Sequence, residues 1–232
     1  MIFEIEKEIF SHFPGLRIVT AGVKGLGGEW DEAGISAFLR EAWAVAGAAA
    51  AEYGNPQSHP FIKPWVEDMK AVGVSRKKFP VSIESMVRRA GKSDSPFSIN
   101  PIVDFYNAVS LKNIVPAGGY DTDELHDHMV LRMSREGDTF RALDSDEAES
   151  IPAGEVSYAD GSEIITRHFL WKQSRHCLLK EDTKSALFVS EIEGSLPAET
   201  ADIVAADFRE GLKKYFNADA EVVILDEKNP RL

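Results

Sequence analysis

The apolar residues change their period near the middle of the chain, and that change constrains the fold more than any single motif. Before residue 114 the dominant pattern is helical. Ile35, Phe38, Leu39, Ala42, Trp43, Ala46 and Ala49 follow Asp31 at spacings that place them on one face, and the pattern stops at Gly54-Asn55-Pro56. A second helix is predicted from about Pro64, turning Trp65 and Met69 inward. A third opens at Phe79-Pro80 and runs to about Ala90, with Glu84 and Arg88 as an i, i+4 pair. A fourth begins at Asn100-Pro101 and carries Ile102, Phe105, Tyr106 and Val109 as its stripe. Leu16–Val23 alternates well enough for a strand, and residues 1–13 read as a short helix or an irregular lead-in.

From Met129 onward the period shortens to two. Met129–Ser134 and Thr139–Leu143 flank Glu136-Gly137-Asp138, a hairpin signal. Glu155–Ala159 and Glu163–Thr166 flank Asp160-Gly161, a stronger one. Ser185–Ile192 reads as another strand, Pro197–Phe216 as an amphipathic helix, and Glu221–Leu225 as a closing strand. Helices, then strands, then a long C-terminal helix predict an α+β fold. A helix-rich N-terminal half is expected to pack on a mixed or antiparallel sheet, without repeating βαβ units. There is no internal repeat and no linker composition, so residues 1–232 read as one domain.

Charge narrows the function classes. A net charge of −12 argues against a general nucleic-acid binder, DNA included, because phosphate contacts need concentrated Lys and Arg. It leaves room for a basic patch on an acidic body. Two concentrations exist, Arg76-Lys77-Lys78 with Arg88, Arg89 and Lys92, and Arg167, Lys172, Arg175, His176, Lys180 and Lys184. Each fits a solvated face as well as a binding face. No apolar run approaches the roughly 20 residues of a spanning helix, Ala42–Ala51 included, so no membrane partner is expected. The first residues lack the basic and apolar regions of a signal peptide. The single cysteine, Cys177, excludes an internal disulfide framework and a cysteine-based zinc site. Together these features fit the cytoplasm.

The densest candidate chemistry lies in two stretches. Asn100–Asp121 begins as a helix with Asp104 and Asn107 one turn apart and ends in a loop holding Gly118-Gly119, which makes a polar helix edge aimed at a glycine loop. Arg167–His176 crowds cations, an amide and aromatics where a further strand should be. Trp171 and the arginines could stack on a base or ribose, and Lys172 and Arg175 could hold phosphates; an edge strand with a polar loop is the other reading. Gly25-Leu26-Gly27-Gly28 matches no phosphate-loop pattern. His126 and His128 lack the helical zinc spacing and read as part of an acidic loop. His176 is poorly placed to act as base for Cys177, since adjacent strand residues face opposite ways. No cofactor or metal is expected.

Asp104-x-x-Asn107, Pro116 and Tyr120-Asp121, followed in order by Tyr158-Ala159-Asp160 and Glu181-Asp182-Thr183, resemble the B3/B4 editing module of the bacterial phenylalanyl-tRNA synthetase β subunit. The resemblance covers about residues 100–192. It implies a trans-editing relative that binds a tRNA acceptor end and hydrolyses a wrongly attached amino acid, with no synthetase activity of its own. On that basis Asn107, Gly118, Gly119 and Gln173 are the catalytic candidates. Asp104, Tyr106, Tyr120, Trp171, Ser174 and Val189 are the substrate-binding candidates, and Arg167, Lys172 and Arg175 would meet the tRNA. The departures are specific. Gly118 replaces a family histidine, Tyr106 a threonine, Gln173-Ser174 a glycine pair, and Val189 a glutamate that reads a tyrosine hydroxyl. Val189 cannot accept that hydrogen bond, so Tyr-tRNA is not the expected substrate. A non-catalytic module binding tRNA or an amino-acid-like ligand is the alternative.

Overall fold

Two sheets share the strands of this protein, and the helices hold the sheets together. The computed structural model describes residues 2–232. The first half contains β1 (Phe3–Ile5), α1 (Lys7–His12), β2 (Arg17–Lys24), α2 (Glu32–Tyr53), α3 (Lys63–Ala71), α4 (Ser82–Ala90) and α5 (Pro101–Asn113). The chain continues through β3 (Ala117–Asp121), β4 (Met129–Met133), β5 (Thr139–Phe140), β6 (Glu149–Ser150), β7 (Val156–Asp160) and β8 (Glu163–Arg167). It ends with β9 (Lys172–Gln173), β10 (Ser185–Ile192), α6 (Glu199–Phe216) and β11 (Ala220–Leu225). The fold is α+β, as the change of period predicts.

One sheet has the order β1-β4-β7-β8-β5-β6, with β9 beside β8; it is mixed, because β1 runs parallel to β4 and β5 parallel to β8. The other is antiparallel, in the order β11-β2-β10-β3. Helix α2 starts where the Asp31 carboxylate accepts from the Gly34 N–H, and it buries Ile35, Leu39, Ala42, Trp43 and Ala46. Helix α5 starts at Asn100, whose side chain accepts from the Val103 N–H, with Pro101 at the first helical position. Its Phe105 packs on Phe188, Phe208 and Phe216, which ties α5 and α6 to the antiparallel sheet. Gly211 permits that approach, since a β-carbon there would lie 2.3 Å from the Phe105 ring. Helix α6 ends at Asn217 in the left-handed conformation, a residue type that tolerates it.

The Asp160-Gly161 hairpin forms as predicted, with Gly161 at φ +60° between β7 and β8. The Glu136-Gly137-Asp138 turn does not pair its flanks. Strand β4 lies between β1 and β7, and β5 joins β8 and β6. The buried Asp138 carboxylate instead fastens the turn itself, clamped by Arg132 at 2.7 and 3.0 Å and accepting from the Arg135 N–H. Gly118-Gly119 is also strand rather than loop: β3 is the edge of the antiparallel sheet, with Gly118 opposite Val189 and Gly119 opposite Phe188.

Candidate functional site

A cavity of about 170 Å³ opens at the junction of the two sheets, walled by α4 and α5. Ser82 and Met86 come from α4, Tyr106 and Asn107 from α5, and Ala117, Gly118 and Tyr120 from β3. Thr166 and Gln173 reach it from the mixed sheet, Val189 and Glu191 from β10, and Phe169, Leu170 and Trp171 from the turn before β9. Seven of the residues singled out in the sequence therefore meet here: Tyr106, Asn107, Gly118, Tyr120, Trp171, Gln173 and Val189.

Three side-chain hydrogen bonds cross from sheet to sheet around the cavity. Tyr120 and Thr166 hydroxyls lie 2.8 Å apart, the Tyr158 hydroxyl donates to Glu191 Oε1 at 2.6 Å, and Gln173 Nε2 donates to the Gly119 carbonyl at 2.9 Å. They fix the two sheets at the distance that leaves the cavity open. Gly118 and Gly119 serve different faces. A β-carbon on Gly119 would meet Leu179 at 2.5 Å behind the sheet, whereas one on Gly118 would come only to 3.9 Å of Val189, on the cavity side. The Gly119 carbonyl and the Asp121 N–H both turn away from β10, toward Gln173 and Cys177. By strand alternation the Gly119 N–H therefore lies on the open edge and the Gly118 N–H is used in the ladder.

The cavity combines apolar walls with unsatisfied polarity. Among the described residues the Asn107 amide donates and accepts no side-chain hydrogen bond, and neither does the Tyr106 hydroxyl. Burial, with Asp104 nearby, pushes the Tyr106 phenol above its ordinary range. Glu191 is the one carboxyl group of the lining, only 3% exposed, and burial raises its pKa to about 7 despite the Tyr158 hydrogen bond. It was missed in the sequence because it sits in a long strand beside apolar residues. Its i, i+2 relation to Val189, which puts both on one face, is the signal that could have found it.

Other candidates have structural partners elsewhere. Asp104 does not line the cavity; its carboxylate accepts from Ser98 Oγ and the Ile99 N–H, which fastens the segment leading into α5. Ser174 is buried, and its Oγ accepts from the His176 N–H. Arg167 pairs with Glu155 and Glu149, Lys172 with Asp144, and Arg175 with Asp146. Cys177 is buried in the core, where burial pushes its thiol far up, so it is no nucleophile. His126 meets His176 rather than His128. The two rings stack at 4.5 Å beside Asp160, whose carboxylate accepts from His176 Nε2 at 2.8 Å and from the His126 and Asp127 N–H groups. Burial opposes ionisation of Asp160, but these donors prevail and hold its pKa down.

Next to the cavity the chain is strained. His168 and Phe169 are consecutive non-glycine residues at φ +48° and +59°. Their turn places the His168 ring 3.9 Å from Phe79 and Phe79 at 4.7 Å from Trp171, so an aromatic stack stands behind the cavity wall. Both ring nitrogens of His168 are buried without a hydrogen-bond partner among the described residues, Nδ1 standing 3.6 Å from Glu155 Oε2, and burial lowers its pKa.

The profile of the B3/4 domain matches residues 67–201, more than half of the chain and every residue that lines the cavity. The chain belongs to the B3/4 domain family. In fold, this B3/4 protein is similar to the N-terminal fragment of the phenylalanyl-tRNA synthetase β-subunit from Pyrococcus horikoshii. The TM-score is 0.50 at 9% sequence identity, over 97% of this chain and 54% of that one. The B3/4 protein thus spans about half the length of that fragment. No curated protein matches it by sequence. No helix among its described residues is long and apolar enough to cross a membrane.

Proposed function

We propose that this B3/4 protein hydrolyses the ester of a mischarged aminoacyl-tRNA, acting in trans on tRNA charged elsewhere. The observation that carries the reading is the cavity itself. Within a B3/4 fold it brings the Asn107 amide, Gly118, Gln173 and the Glu191 carboxyl around a space of about 170 Å³, with Gly119 outside the lining but tied to it through the Gln173 side chain. That is well below the roughly 300–1,000 Å³ of sites for larger ligands, and it suits a single amino-acid moiety.

An aminoacyl ester is already labile, so positioning a water and the terminal ribose accelerates its cleavage without a protein nucleophile. Water adds to the ester carbonyl carbon while its proton passes to the Glu191 carboxylate, a base matched to neutral pH. The Gly119 N–H and the Asn107 amide donate to the oxygen that becomes negative. The carbon–oxygen bond to the ribose then breaks, and the ribose oxygen takes the proton back. Gln173, anchored on the Gly119 carbonyl, orients the water. Val189 presents no acceptor to a tyrosine hydroxyl, and Glu191 already accepts from Tyr158, so Tyr-tRNA is not the favoured substrate.

A panel of mischarged tRNAs tests this. One or a few should lose their amino acid with multiple turnovers, and Asn107→Ala should lower kcat by about tenfold to a hundredfold with KM nearly unchanged. Retention of tRNA without turnover would make the protein a binding module instead, and tyrosine as the best substrate would overturn the specificity.

A further inference from the structure

Of the two basic concentrations in the chain, one keeps most of its cations without an ion-pair partner among the described residues, and it borders the cavity. Residues 76–97 hold six of the 26 Lys and Arg residues and two of the 38 acidic ones. One acid, Glu84, is fully buried and takes Arg76 and Arg88. Lys77, Lys78, Arg89 and Lys92 are exposed and have no ion-pair partner among the described residues. In residues 167–184, by contrast, four of the five Lys and Arg residues are held by carboxylates.

The unpaired cations flank the cavity wall at both ends of α4. Ser82, Met86 and Arg89 stand at i, i+4 and i+7, on one stripe of the helix. The first two line the cavity, so Arg89 continues that stripe about 10 Å beyond Ser82. There its guanidinium lies 5.1 Å over the ring of Phe97, an exposed aromatic beside Lys92 and Trp43. At the other end Lys77 and Lys78 directly precede Phe79, which packs on Trp171 of the cavity.

We infer that the α4 surface, Lys77 and Lys78 on one side and Arg89, Lys92 and Phe97 on the other, is where an RNA backbone and its single-stranded 3′ end dock. The inference rests on the deacylase reading and places the nucleic acid against the cavity. Lys and Arg neutralise phosphates, and the exposed Phe97 offers a stacking face to an unpaired base. Such a local field lets an acidic protein meet one end of an RNA while its remaining surface repels the rest.

The test is fluorescence anisotropy of the full chain with an uncharged RNA hairpin carrying a single-stranded 3′ overhang, beside a blunt hairpin and polyglutamate, over a range of salt. Arg89→Ala/Lys92→Ala and Lys77→Ala/Lys78→Ala should each weaken the overhang hairpin about tenfold or more. Each pair should reduce the slope of log affinity against log salt by about one to two. Phe97→Ala should weaken the overhang hairpin several-fold more than the blunt one. All these residues are exposed, and circular dichroism checks that the variants fold. A loss confined to Lys172→Ala/Arg175→Ala, or equal binding of polyglutamate, overturns the assignment. So does a wild-type chain that ignores RNA. The deacylation panel decides the parent reading separately: turnover with unchanged RNA affinity in the α4 variants sinks only the docking surface.

Discussion

The two basic segments look alike in sequence and differ in their neighbours. In residues 167–184 the cations project toward acidic loops: Arg167 toward Glu149 and Glu155, Lys172 toward Asp144, Arg175 toward Asp146 and Lys180 toward Glu124. In residues 76–97 the only buried acid engages Arg76 and Arg88 from the inside of α4, and the remaining cations face solvent. A cation can thus brace a loop, neutralise a buried charge or stay available, and position in the fold decides which. Clustering along the chain does not distinguish these roles.

The contrast sets a scale that substitutions can break. The largest effect belongs to the buried acid. Arg76→Ala/Arg88→Ala leaves Glu84 in the core without a cation, and urea denaturation should show a loss of about 3 kcal/mol. A loss under about 1 kcal/mol would mean that these arginines are as free as Lys77 and Lys78.

Glu191 is the opposite case, a buried carboxyl with no cation. Its folded pKa of about 7 lies above the ordinary 4.5, so protonation favours the folded state. The stabilising contribution is complete below pH 4.5 and is lost as pH rises through 7. Glu191→Gln, which needs no ionisation, should therefore be more stable than the wild type at pH 8, by on the order of 2–3 kcal/mol, and equal to it near pH 4. In deacylation, kcat/KM of the wild type should rise through about pH 7, and the variant should be slow and flat. A variant that kept the wild-type profile would remove Glu191 from the chemistry.

Smaller effects follow. Tyr120→Phe removes one of the three bonds between the sheets and should cost about 1 kcal/mol in the same denaturation. Smallest of all, Lys172→Ala/Arg175→Ala should leave the denaturation midpoint within experimental scatter, because both pairs sit in solvent. A marked shift there would show that these pairs brace the loop at Asp144–Asp146 more firmly than their exposure implies.

Much of this protein is legible from local pattern. Helix α2, strand β10 and the β7–β8 hairpin lie where periodicity and the Asp160-Gly161 turn put them. The segments that form the cavity were found as well, since a polar helix edge, a glycine pair and an aromatic cluster interrupt otherwise regular stretches. The Glu136-Gly137-Asp138 hairpin signal fails because turn residues report a reversal and not a partner; β4 pairs with β1 and β7, and β5 with β8 and β6. The Gly118-Gly119 pair was misread as a loop because glycine marks close approach as readily as a turn, and here Leu179 and Phe188 press on the strand.

Neighbours a few residues apart settle helix faces, helix caps and one tight turn, and composition settles the acidic balance that confines any anion-binding surface to a patch. Tertiary structure decided what depends on residues far apart. It chose which sheet each strand joined, set Glu191 beside Val189 in the cavity wall, and matched cations to carboxylates from distant loops. The physical reason is range. Backbone propensity and side-chain period act within a few residues, whereas burial and charge pairing act through space, and a charge acquires its role only when the fold supplies or withholds its partner.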